Sequence, residues 1–127
     1  MSCSVESEIQ ALGRNAPRIT PMDIEKNIVQ EWYFTAEEGV AGSAGGPAQL
    51  SALIRDGHVG EPSSHLSRVT FCVLVLTNGF VVTGSSAAVS LEGFDKDIGR
   101  QVARNNAIDQ VWPLMGYALR EQLHNQD

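Results

Sequence analysis

This chain is short of cysteine, of positive charge and of long apolar runs. Only two of its 127 residues are Cys. Cys3 lies in a polar N-terminus and Cys72 inside an apolar stretch, where a free thiol behaves as a small hydrophobe. No disulfide is expected, and a reducing cytoplasm fits. Nine Lys and Arg stand against fifteen Asp and Glu, a formal charge of −6, which argues against a nucleic-acid coat or a binder of anionic membrane. The imbalance is uneven. Residues 1–67 carry four basic and nine acidic side chains, and residues 68–127 carry five and six, so a cationic surface belongs to the C-terminal half. No stretch approaches the roughly 18 apolar residues of a membrane span. "MSCSVESEIQ" has neither the basic start nor the apolar centre of a signal peptide, so a soluble intracellular protein is expected.

Catalytic signatures are missing as well. There is no GxxxxGK[ST] loop, no zinc-deaminase pattern and no paired carboxylates in a convincing setting. His58, His65 and His124 have no Cys or acid at ligand spacing, so neither a metal nor another cofactor is expected. "GSS" at 84–86 lacks the full nucleophile elbow. Enzymatic activity is not expected.

What is present reads as α+β: a lead-in over residues 1–17, then a single domain over 18–127. In "ITPMDIEKNIVQEWYF", Thr20 suits an N-cap, Pro21 the first helical position and Asp23 a capping box. Ile24, Ile28 and Trp32 recur every four residues, with Val29 and Tyr33 alongside, predicting a helix of about 13 residues. Residues 39–67 read as a long, disordered Gly/Ala-rich loop, with room for a short helix at 48–55.

"TFCVLVLTNGFVVTG" predicts a β-hairpin on a two-residue type I′ turn at Asn78-Gly79. That register puts Phe71, Val73, Val75, Phe80 and Val82 on one face, and Cys72, Leu74, Leu76 and Val81 on the other. A half-exposed strand should alternate apolar and polar, and the first strand does not. Helices can cover one face. A second copy of the chain is expected on the other, face to face or by joining sheet edges, unless the long loop folds back over it. Two C-terminal helices hinged at Trp112-Pro113 follow. Asp95 and Asp97 stand at the start. Phe94, Ile98 and Val102 form one apolar stripe, and Ile108, Trp112, Met115, Leu119 and Leu123 a second.

Three blocks, "PRITPMDIEKNIVQEWYFTAEEGV", "TFCVLVLTNGFVVTGSSAAVS" and "FDKDIGRQVARNNAIDQVWPLMGYALREQL", resemble a family of small tailed-phage proteins. That family is named for gene product 49 of an N-four-type coliphage and gene 66 of a Shigella phage. The resemblance implies a bacteriophage product acting in the cytoplasm of an infected bacterium, and it transfers no catalytic residue. Residues 41–67 look expanded relative to the family. At Ser85-Ser86 many relatives carry an acid before the Ser, so a role resting on that acid does not carry over.

The candidate site is the row Lys96, Arg100 and Arg104, four apart on one helix face. Such a row could hold an anion, with Arg giving bidentate contacts; Asp95, Asp97 and Asp109 could equally neutralise it. Asn105 and Asn106 could read a base or ribose. Tyr117 offers a stacking surface, whereas Trp112 fits core packing at the hinge. Thr83, Ser85 and Ser86 could line an anion nest or form a plain turn. Two functions follow. One is an oligomeric, non-enzymatic accessory protein that binds an anionic small molecule, of nucleotide type, to counter host defence. The other is an interaction module that binds and inhibits a host or phage protein.

Overall fold

The computed structural model describes residues 16–90, 92 and 95–126. The lead-in up to residue 15, with Cys3, and the stripe residue Phe94 lie outside the described residues. The elements are α1 (Pro21–Asn27), β1 (Ile28–Thr35), α2 (Ala36–Ser43), α3 (Pro47–Arg55), a 3-10 turn (Ser64–Arg68), β2 (Val69–Leu76), β3 (Val81–Ala87) and α4 (Lys96–Gln126). The strands form one antiparallel sheet in the order β1-β2-β3, and α4 lies across one face. The fold is α+β. Among the described residues no helix is long and apolar enough to cross a membrane.

The core sits between α4 and the sheet. Cys72, Leu74 and Leu76 of β2, Val82 of β3, Ile24 of α1 and Ala103, Ala107 and Val111 of α4 are all buried. Each fully buried Leu, Ile or Val contributes about 1.5–3 kcal/mol. The helix approaches through small residues, with Gly99, Ala103, Ala107 and Val111 recurring every four. At Gly84 the approach is backbone to backbone. A Cβ there would stand 2.2 Å from the Ala103 carbonyl oxygen and 2.3 Å from the Ala107 nitrogen.

Five expectations are corrected. The helix predicted through Tyr33 stops at Asn27, and residues 28–35 form the third strand. Ile24, Ile28 and Trp32 are spaced by four, which fits a strand's period of two as well as a helical turn. The β-branched and aromatic run "IVQEWYFT" then pairs with β2. A bulge between Ile28 and Gln30 resets the alternation. Beyond it Glu31 and Tyr33 lie opposite Leu74 and Cys72 on the helix face, while Gln30, Trp32 and Phe34 lie opposite Val75, Val73 and Phe71 on the other.

The hairpin slips by one residue from the predicted register. Val75 pairs with Val81, and Leu74 with Val82. A type I′ turn needs positive φ at both central residues, but among the described residues only glycines have positive φ, Gly79 at 87° being the one in this turn. The Gly79 N–H donates to the Leu76 carbonyl, and the Leu76 N–H donates to the Phe80 carbonyl. This is a three-residue loop closed by a glycine, and one step of slip exchanges the faces of β3. Val82 enters the core and Val81 faces away.

The segment 39–67, predicted as a long loop with room for a short helix at 48–55, holds that helix as α3 and, in addition, most of α2. Thr35 and Glu38 close a capping box that starts α2. The two hinged helices are one 31-residue helix that continues through Pro113. Pro113 is exposed, so its ring meets water rather than a packed neighbour. Ile98 and Val102 of the predicted first stripe are 64% and 42% exposed. The small-residue stripe takes their place against the sheet. Ile108, Trp112 and Met115 do pack against the core.

Among the described residues, little covers the second sheet face. Trp32 is 59% and Val81 47% exposed. The Phe34 and Phe71 rings meet at 5.5 Å. α2 packs at that end, where a Cβ on Gly39 would lie 3.4 Å from the Phe34 ring.

Candidate functional site

Because α4 rests on its small stripe, its two flanks overhang different strands. Lys96, Arg100 and Arg104 share the flank above β1, as their spacing predicts. Their uses differ. The Arg104 Nη1 and Nη2 donate to the two carboxylate oxygens of Glu25 at 3.0 and 2.7 Å. Its Nε is 3.3 Å from both Glu31 oxygens, and Nη2 also reaches Glu31 at 3.1 Å. The guanidinium fork is thus filled from α1 and β1, with the side chain 20% exposed. The Arg104 hydrogen bonds hold the Glu25 carboxyl below its ordinary range, and the two carboxylates raise Arg104 in turn.

The Tyr33 hydroxyl donates to Glu31 at 2.9 Å. Burial, and then this bond, push the phenol well above its ordinary value. The Arg100 guanidinium sits over the Tyr33 ring, 5.5 Å from its centroid. Among the described residues it makes no ion pair within 4 Å. Lys96, one turn earlier, is exposed. The backbone N–H of Thr35 is the main cause that holds the Glu38 carboxyl down, and the charges of Lys96 and Arg100 add to it. These two cations therefore stand near the start of α2.

The opposite flank serves β3. Asn106 Nδ2 donates to the Ser85 carbonyl at 2.8 Å, and Gln110 Nε2 donates to the Thr83 carbonyl. A shallow groove beside these contacts is lined by Ser85, Ser86, Ile98, Val102 and Asn106.

The predicted site residues do not converge. Ser86 lies on the β3 flank, across α4 from Arg100. Thr83 pairs with Val73, so its side chain is on the open face. Asn105 is exposed on the far side of α4 and accepts from Gln101 at 3.2 Å. Tyr117 is 73% exposed and lies about 20 Å further along the helix than Arg104, at 1.5 Å per residue.

Glu25, Glu31 and Tyr33 are the partners the sequence reading misses. The helix predicted through Tyr33 takes in all three, and the strand signal in "WYFT" is what could have revealed them. Among the described residues no group of three His, Cys, Asp or Glu could hold a metal ion. In comparisons with known proteins, a family described as "Phage protein (N4 Gp49/phage Sf6 gene 66) family" matches residues 19–123. No curated protein and no solved structure matches the chain.

Proposed function

Since the chain belongs to the phage protein family of N4 Gp49 and phage Sf6 gene 66, we propose that it is an accessory protein that acts by binding, not by catalysis. In this reading it captures an anionic small molecule of nucleotide type in the cytoplasm of the infected bacterium and so counters a host defence. The observation that carries the reading is Arg100. Arg104 is neutralised by two carboxylates, whereas Arg100 is held over an aromatic ring and, among the described residues, has no carboxylate within 4 Å. A guanidinium fixed in this way presents its N–H fork to a phosphate with little ordering cost. Lys96 adds charge one turn away.

Titration calorimetry with linear and cyclic nucleotides, using wild type and Arg100→Glu, tests this. Loss of at least about tenfold in affinity is expected, since a charge-assisted pair is worth 1.5 kcal/mol or more. Unchanged affinity in Arg100→Glu would refute the site. A second reading, docking onto a host or phage protein, is supported by the exposed Trp32 and Val81. A stoichiometric protein partner that is lost in Trp32→Ala and Val81→Ala, and not in Arg100→Glu, would favour it.

A further inference from the structure

The two edges of the sheet are treated differently. Leu76 donates to Phe80, and Ala88 donates to Arg68, so the even-numbered residues along β2 turn their backbone groups toward β3. The odd-numbered residues turn toward β1, as Thr77 does in donating to Asn27. On β3 this leaves the carbonyls of Thr83 and Ser85 pointing outward, and these are the two that Gln110 and Asn106 occupy. On β1, Phe71, Val73 and Val75 bind opposite Phe34, Trp32 and Gln30. The backbone groups of Glu31 and Tyr33 therefore point outward, and among the described residues nothing bonds to them. Beside this bare edge stand Trp32, 59% exposed, and Phe34.

We propose that the β1 edge pairs antiparallel with β1 of a second copy, joining two three-stranded sheets into one. Charge and existing bonds choose the register. Placing Glu31 opposite the partner's Glu31 sets like charges face to face, which is destabilising. Placing Tyr33 opposite the partner's Tyr33 brings in Thr35, whose N–H is already held by Glu38 at 2.9 Å. The remaining register sets Glu31 opposite the partner's Tyr33 and Trp32 opposite the partner's Trp32. The outward backbone groups then bond in reciprocal pairs, and the two indoles meet at the closer, non-hydrogen-bonded spacing. Local charge permits the approach in a chain of net charge −6, because this register keeps the two Glu31 carboxylates apart and each is paired with Arg104 of its own copy.

The Lys96–Arg100 flanks of both copies then lie on one side of a continuous sheet. The pairing itself needs no ligand, so it can fail or hold independently of the binding function above.

Sedimentation velocity over a range of concentrations, without ligand, tests the interface together with amide hydrogen exchange. Wild type should be a dimer, with the Glu31 and Tyr33 amides protected at high concentration and exchanging freely on dilution. Trp32→Lys puts two lysines opposite each other and should weaken association roughly 100-fold. Thr83→Lys, on the same open face but two strands away, should leave the dimer intact. A wild-type monomer overturns the proposal, whether those amides are free or are covered by another part of the same chain. So does a dimer in which they exchange freely. Dissociation by Thr83→Lys as strongly as by Trp32→Lys would assign the contact to stacked sheet faces instead.

Discussion

Gly84 and Arg104 fix how α4 sits, one by having no side chain and the other by using nearly all of its own. At Gly84 a methyl group would fall within 2.2–2.3 Å of helix backbone, and backbone cannot step aside as a flexible side chain can. Gly84→Ala should therefore cost roughly 3 kcal/mol, the upper range for overpacking, read as a lower urea midpoint. At Arg104, replacement by Met removes the donors and leaves two carboxylates that are partly in water. A loss of about 1–2 kcal/mol is expected at neutral pH. The pH dependence has a definite sign. Glu25, Asp23 and Glu38 all have depressed folded values, so their contribution is present above the unfolded carboxyl range and lost as pH falls through the folded values. The wild-type urea midpoint should drop below about pH 4.5, and the slope should be shallower in Arg104→Met, where the bond that depresses Glu25 is gone. Local chemistry was legible here: the Thr20–Asp23 capping box is present, with bonds of 2.9 and 3.1 Å. The Arg104 partners were not, because they lie 73 and 79 residues away in sequence.

Where two periodicities coincide, an element is decided by its neighbours. Ile28–Thr35 carries spacings that suit helix or strand, and β2, apolar on both faces, supplies the pairing that makes it a strand. That outcome depends on contacts about forty residues away, so a local reading could not reach it. The β2–β3 hairpin was legible as an element. Its register turned on whether Asn78 takes positive φ, and composition does not settle that. Pro113 misled in another way. A proline weakens a helix interior but does not forbid it when the surrounding helix is held elsewhere, and α4 is anchored before it by Gly99, Ala103, Ala107 and Val111. Pro113→Ala should consequently stabilise the protein by about 1–3 kcal/mol, seen as a higher thermal midpoint with helical ellipticity kept or increased.

At the scale of the whole molecule, the doubly apolar strand calls for a cover on its second face, and among the described residues Trp32 and Val81 on that face are exposed. What the sequence could not show is that α4 shields one edge of that sheet while, among the described residues, nothing bonds to the other, because Asn106 and Gln110 find their carbonyls only once the helix is seated. Replacing both by Ala should bare the β3 edge. Species heavier than a dimer should then appear in sedimentation as concentration rises, while the single-copy secondary structure by circular dichroism stays unchanged. This pair of amides thus sets a limit on growth. In the proposed pairing the β1 edge is used up about a two-fold axis, and two carbonyls of the far edge of each copy are already occupied, so little free template is left at either end. On that proposal, raising the amount of protein makes more pairs rather than a longer ribbon, and a chain with an exposed aromatic strand would accumulate without seeding fibres.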